Sequence, residues 1–189
     1  MRTRDPESKK RQLLDSALIE FAARGLAGTR VDAIAERAKC SAGLVYTYFG
    51  SKEALFDAVL DDIAVSTVDL VPLTPEDLPD YAVRLYEVGA ARPEVERFVA
   101  WYRLERDTVG GTHTAVAEAM TNKVAEVAAA QAAGLLAPRM TASELVLTVQ
   151  AIARMWFTQP EEVLAVFDAD GRERSEVIRT AVKTLLARN

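Results

Sequence analysis

One cysteine and one histidine, Cys40 and His113, are all that this 189-residue chain holds of those two side chains. A single cysteine excludes an intrachain disulfide, and no metal-ligand cluster is expected from so short a supply. Long apolar runs are missing too. No stretch reaches the roughly 18 uninterrupted apolar residues of a membrane span. The charged start, MRTRDPESKKR, has no apolar run behind it to read as a signal peptide. A soluble, cytoplasmic protein away from the membrane is expected. No convincing strand alternation and no internal repeat occur, and low complexity is confined to the alanine-rich residues 125–133. Nucleophile–base pairings, metal-ligand spacings and phosphate-cradling glycine loops are lacking, so an enzyme fails on content and no cofactor is expected.

What is present is helix-forming and unevenly charged. Half of the residues are hydrophobic, enough for a real core. The net charge of −5 looks wrong for a nucleic-acid binder until the chain is split. Residues 1–52 carry ten Lys/Arg against six Asp/Glu, net +4, and residues 53–189 are net −9. Affinity for DNA rests largely on local phosphate neutralisation, so the N-terminal sign counts most. The acidic remainder repels DNA and helps orient the molecule.

The stretch Thr29 to Lys52 organises the chain. Thr29 is placed to cap a helix whose apolar residues Val31, Ile34, Ala35 and Ala38 share one face. Ser41 is placed to cap the next helix, about Ala42 to Tyr48, and only Lys39 and Cys40 intervene. So short a turn forces a sharp crossing, as in a helix-turn-helix. Val45 and Phe49 mark the core face of the second helix. Ala42, Gly43, Tyr46 and Thr47 lie opposite, with Leu44 and Tyr48 on the flanks. Gly50 ends this helix and Ser51 caps a third. Lys52 opposes that helix's dipole, which a DNA phosphate would explain; a solvated lysine is the alternative.

These residues resemble a family. Gly25-Leu26-Ala27-Gly28-Thr29-Arg30-Val31, Ile34-Ala35-Glu36-Arg37-Ala38 and the run Ser41 to Leu55 are similar to the N-terminal domain of TetR-type transcriptional repressors. The similarity covers about 50 residues from Ser8 onward. It implies that Thr29, Arg30, Tyr46, Tyr48 and Lys52 touch DNA, chiefly at phosphates, alongside Ser41 and Gly43. It implies that Ala42, Leu44 and Thr47 help select sequence. The family commonly has glycine where Lys39 stands and valine or isoleucine where Cys40 stands. If position 39 needs a positive φ, lysine is strained there. Cys40 reads as a small apolar filler rather than a redox switch.

Before this motif, Arg2 and Arg4 lie on a short arm that is solvated or reaches the minor groove. A first helix is expected from about Ser8 to Arg24, stopped by Gly25, with Leu13, Leu14, Ala17, Leu18 and Phe21 packed on Ile34, Val45 and Phe49. Lys9, Lys10 and Arg11 meet phosphates or face water. A fourth helix, about Lys52 to Leu70, buries Leu55, Phe56, Val59, Leu60 and Ile63. In the resembled family it couples ligand binding to the separation of the DNA readers.

Thr74-Pro75-Glu76-Asp77 is a helix start with Thr74 as cap, and that helix runs to about Ala91. Further helices are expected at about 93–106, 112–133, 142–157 (capped by Thr141), 161–167 and 172–187. The helix at 142–157 is apolar nearly all round, which in a small chain points to a subunit interface.

The fold class is therefore all-α. A three-helix helix-turn-helix DNA-binding domain is expected over residues 1–50, and a helical effector-binding and dimerisation domain over 51–189. The function expected is a homodimeric repressor on a pseudo-palindromic operator in double-stranded DNA. A small-molecule effector releases it, and the helices near 142–158 and 172–187 join the subunits. Tyr86, Phe98, Trp101, Tyr102, His113, Met120 and Trp156 are candidate effector contacts, or core residues filling space. An activator fits the same sequence, as polarity depends on operator position. The rivals are an all-helical enzyme using carboxylates or His113, and a protein-binding adaptor; an adaptor would show no salt-dependent duplex affinity.

Overall fold

The protein is described by a computed structural model covering residues 6–105 and 114–187. Among the described residues the chain is helix and turn with no strand. The order is α1 (Pro6–Gly28), α2 (Val31–Arg37), α3 (Ala42–Phe49), α4 (Lys52–Leu70), a 3-10 turn (Pro75–Asp77), α5 (Leu78–Ala91), α6 (Pro93–Glu105) and α7 (Thr114–Ala132). Then come α8 (Ala142–Arg154), continuing into a 3-10 turn (Met155–Thr158), α9 (Glu161–Asp168) and α10 (Arg174–Leu186). His113 and Gly110-Gly111 lie outside the described residues, as do Arg2 and Arg4.

Packing divides the chain into two compact units. One takes the residues up to Ser66 together with Arg92–Val116, and the other takes Thr67–Ala91 and the chain from Ala117 onward. In this packing α6, far along the chain, builds part of the first unit. The expected stripe on α1 is buried throughout: Leu13, Leu14, Ala17, Leu18 and Phe21 meet Ile34 and Val45, with Phe49 half-buried against them. Leu55, Phe56, Val59, Leu60 and Ile63 of α4 and Val95 and Phe98 of α6 complete this core. At its centre the Phe21 ring stands edge-on to Phe56, centroids 4.9 Å apart, and Phe56 lies 4.7 Å from Phe98. Each such ring, taken fully from water, stabilises the fold by about 1.5–3 kcal/mol.

Gly25 breaks α1 with φ 68° and ψ −178°, so the helix ends in fact where the sequence places its stop. A Cβ there would stand 2.7 Å from Cε3 of Trp101, so this position excludes a side chain on two grounds.

The second unit buries Leu78, Tyr81, Ala82, Val83 and Leu85 of α5 against Leu145, Val146, Val149 and Ala153 of α8 and Ile178 and Val182 of α10. Asp80 accepts hydrogen bonds from Arg84 and from Arg179, the latter at 3.3 Å, tying α5 to α10. Thr141 caps α8 in a full capping box with Glu144, and these bonds hold the Glu144 carboxyl below its ordinary pKa. Thr74, in contrast, is not a side-chain cap. Its hydroxyl accepts from the Arg84 guanidinium at 2.8 Å, and Asp77 takes the capping role by accepting from the Asp80 N–H at 3.1 Å. The apolar helix 142–157 splits at Arg154, where α8 tightens into the 3-10 turn that carries buried Trp156. One of its three apolar faces stays open: Leu147 is 64% exposed.

Candidate nucleic-acid interface

Three of the expected caps set the reading geometry. Ser41 Oγ accepts from the Leu44 N–H at 3.3 Å at the start of α3. Gly50 closes α3 with φ 79°, its N–H donating to the Tyr46 carbonyl at 2.8 Å. Ser51 Oγ then accepts from the Ala54 N–H at 3.0 Å. Between α2 and α3, Lys39 adopts φ 50°, a left-handed conformation. Its N–H donates to Glu36 O at 3.0 Å and the Cys40 N–H donates to Ala35 O at 2.9 Å, a paired closure of the helix end that favours glycine at the position of Lys39. Cys40 is half-buried against the core, as a small apolar filler would be.

Thr29 requires a correction. The residue flanking α2 is Arg30, without a side-chain cap bond. Thr29 is buried, and its single hydroxyl proton is shared between Gly25 O at 2.6 Å and Glu20 O at 3.1 Å. The break at Gly25 leaves carbonyls at the end of α1, and the threonine satisfies them in place of the α2 N–H groups. Lys52 is not simply solvated: its ammonium donates one of its three protons to Thr29 O at 3.1 Å and ties the start of α4 to the α1–α2 turn.

Val45 anchors α3 in the core while Gly43, Tyr46 and Thr47 face outward and Ala42, Leu44 and Tyr48 are half-buried. The Thr47 hydroxyl turns back to Gly43 O at 2.8 Å, and the Tyr48 hydroxyl donates to Pro6 O at 3.4 Å. Thr29, Arg30, Ala42, Tyr46 and Lys52 line one open groove of about 470 Å³. Ser41, Gly43, Leu44, Thr47 and Tyr48 lie on α3 outside that lining. Arg30 is well exposed and pairs at 3.6 Å with Asp32 on the groove wall, an exposed contact that a phosphate can displace at little cost.

Two supporting contacts escape a reading of the sequence. Lys9 faces neither water nor phosphate alone: its ammonium donates to Ala38 O at 2.6 Å, at the carbonyl end of α2. Glu20 is buried on α1 and receives the Arg24 guanidinium and, at 2.8 Å, that of Arg37 on α2. A carboxylate next to buried Phe21 with an arginine four residues on was the available signal for this pair.

A short helix standing on a buried valine, with a tyrosine facing outward and glycine and serine closing its ends, is a DNA-reading arrangement, and comparison with known proteins decides its lineage. Residues 13–59 match the profile of the bacterial regulatory proteins of the tetR family, and residues 77–188 match that of the tetracyclin repressor-like C-terminal domain. The chain belongs to the TetR family. It is 32% identical over 184 residues to the HTH-type transcriptional repressor SCO4008 of Streptomyces coelicolor, covering 97% of this chain and 95% of that protein. It is 45% identical over 62 residues to the HTH-type transcriptional regulator RutR of Escherichia coli, which covers 33% of this chain and 29% of that one. The crystal structure of SCO4942 from Streptomyces coelicolor superposes with a TM-score of 0.82 at 34% identity, covering 96% of this chain and 99% of that one. The fatty acid degradation regulator FadR of Bacillus halodurans shares the fold at 17% identity with a TM-score of 0.71, over 98% and 97% of the two chains.

The protein is thus a TetR-family transcriptional regulator, from a family of DNA-binding regulators rather than enzymes. No described helix is long and apolar enough to cross a membrane. The candidate effector residues divide between the units. Phe98, Trp101 and Tyr102 lie in the first, Phe98 wholly enclosed and Tyr102 stacked 6.2 Å from Phe56. Tyr86, Met120 and Trp156 lie in the second, Tyr86 stacked 5.5 Å from Phe157 and Trp156 edge-on to Phe167 at 5.1 Å.

Proposed function

We propose that this regulator is a homodimeric cytoplasmic repressor whose residues 1–50 read a pseudo-palindromic operator and whose residues 51–189 bind a small-molecule effector and dimerise. The observation that carries the reading is the outward face of α3: Gly43, Tyr46 and Thr47 stand exposed on a helix pinned by buried Val45 and capped at both ends. Residues of a recognition helix reach base edges while groups around it hold phosphates. Tyr46, Arg30 and Lys52 around one groove, with Ala42 at its small end, fit that division. The exposed Leu147 on α8 supports a subunit contact through the helices near 142–158 and 172–187. The repressor sense is supported by the name of SCO4008. Release follows if the effector prefers a conformation whose two readers are wrongly spaced, since DNA affinity then falls by that preference.

The test is selection of random duplexes by the purified protein at fixed salt, with Tyr46→Ala in parallel. A two-fold-symmetric consensus lost by the variant is expected. Sequence-blind binding alone, or none, would sink the specific-repressor reading.

A further inference from the structure

The two helices of the reader have little hold of their own. α2 has seven residues, no side-chain cap at its start, and only Ile34 and Ala35 buried within it. α3 has eight residues and buries Val45 alone. Helices this short are not stable by themselves, so their surroundings decide where they sit. After Ala38 closes α2, Lys39 and Cys40 are all that precedes the Ser41 cap of α3. A shift of the last turn of α2 therefore passes directly to the start of α3.

That last turn is held by two α1 side chains of opposite charge. Glu20 is 5% exposed, and its Oε1 accepts from both Nε and Nη2 of Arg37, each at 2.8 Å. The Lys9 ammonium donates to the carbonyl of Ala38, the next residue, at 2.6 Å, and to the Gln12 side chain at 2.9 Å. Glu20 and Lys9 stand about 16 Å apart along the α1 axis at the ordinary helical rise. Adjacent residues of α2 are thus drawn toward α1 positions three turns apart, and the end of α2 lies between them. Two such tethers fix a position along α1 that one would leave free. The other Glu20 oxygen takes Arg24, four residues on in α1 itself, which ties nothing to α2.

We infer that Glu20 and Lys9 are positioning residues for operator reading: held from both sides by them, the end of α2 sets where the base-facing start of α3 stands. They discriminate between sequences without contacting a base. The inference rests on the reading of α3 as the recognition helix. Its consequence has a distinctive sign. Glu20→Gln removes a negative charge from the DNA-binding unit, so electrostatics alone would tighten binding to every duplex. Loss of positioning weakens binding to the operator only.

The experiment titrates the full-length protein by fluorescence anisotropy against the selected operator and against a scrambled duplex of equal length and composition, over a range of salt. The ratio of the two affinities does not depend on the folded fraction, so partial unfolding of a variant leaves it unmoved. Glu20→Gln and Arg37→Gln should each lower this ratio by about tenfold, the scale of one lost base contact. Their double variant should lose no more than either alone, because the two side chains act as one tether. Lys9→Met should lower the ratio severalfold in a protein whose buried ion pair is intact. Arg24→Gln should leave it unchanged, since Arg24 shares the carboxylate but not the link to α2. An unchanged ratio for Glu20→Gln or Lys9→Met, or losses that add in the double variant, would overturn the positioning role alone. Equal weakening on both duplexes, with a salt slope shallower by about one, would overturn it too, by making Lys9 or Arg37 a phosphate contact. A wild type that does not tell the duplexes apart would overturn the reading of α3 and the positioning role with it.

Discussion

The carboxylate of Glu105, at the end of α6, accepts the backbone N–H of Leu26 at 2.6 Å, and its second oxygen accepts that of Ala27 at 3.2 Å. These N–H groups follow the break at Gly25 and lead into the segment before α2, so α6 fixes the entrance to the DNA reader. Glu105→Ala leaves both donors without that partner and should destabilise the protein by about 1–3 kcal/mol in urea unfolding. Glu105→Gln, which keeps one acceptor oxygen, should lose less. Equal stability of both variants and wild type would show that solvent replaces the carboxylate at no cost.

Lys39→Gly should stabilise the fold. A non-glycine residue held left-handed costs about 1–2 kcal/mol, and glycine's greater freedom in the unfolded chain takes back about 0.5–1 kcal/mol. The net gain is about 0.5–1 kcal/mol, read as a higher denaturation midpoint with an unchanged slope. A loss of stability would mean that the lysine side chain makes a contact outweighing its backbone strain.

Tyr46 and Thr29 should behave as opposites although resemblance assigns both to DNA. Tyr46 is 49% exposed and Thr29 is 3% exposed. Tyr46→Ala should leave the unfolding midpoint in place and lower operator affinity by about 1–3 kcal/mol, the scale of a reading contact. Thr29→Val removes the one hydroxyl proton shared between the Gly25 and Glu20 carbonyls and should cost about 1–2 kcal/mol of stability. Parallel anisotropy and urea titrations separate the two.

The contrast also marks what the sequence could tell. Ser41, Ser51 and Thr141 are caps in the structure, each accepting from the backbone N–H three residues on. Thr29 and Thr74 carry the same local signal and do not cap, one drawn to α1 carbonyls and the other to the Arg84 guanidinium. Capping rules weigh neighbours in sequence, and these rivals come from the fold. The core stripe on α1 was legible because its spacing repeats within one helix. The Glu105 contact was not, since 79 residues separate it from Leu26. The burial of Lys123 on α7 was hidden for another reason: a lysine on a mixed helix reads as surface until the burial of its face is known.

Lys123 should also set an alkaline trend. Its folded pKa lies below the ordinary 10.5, so between the two values the unfolded chain binds more protons. Stability attributable to this residue therefore rises with pH through that window. Tyr81, whose pKa burial raises above 10.0, opposes the trend only above that value. Lys123→Met, which removes a charge that burial disfavours, should be more stable than wild type at neutral pH, and that difference should shrink as pH climbs toward about 10. Thermal scans across that range with both proteins check it, and a constant difference would show that Lys123 does not titrate differently in the folded state.

Leu147→Glu tests the proposed subunit contact. Placing a charge on the open face of α8 should weaken a dimer by about tenfold or more without disturbing the buried Leu145, Val146 and Val149 beside it. Sedimentation at micromolar concentration, paired with an unchanged helical signal, is the measurement.

The presence of α6 in the first unit bears on grafting. Heads exchanged among TetR-type regulators by a single splice soon after α4 begins would leave Phe21 and Phe56 facing a foreign α6 in place of Phe98, and Gly25 without the Trp101 ring it was left bare to admit. A transplant that keeps this reader's shape must carry residues 92–105 with it, as two crossovers rather than one.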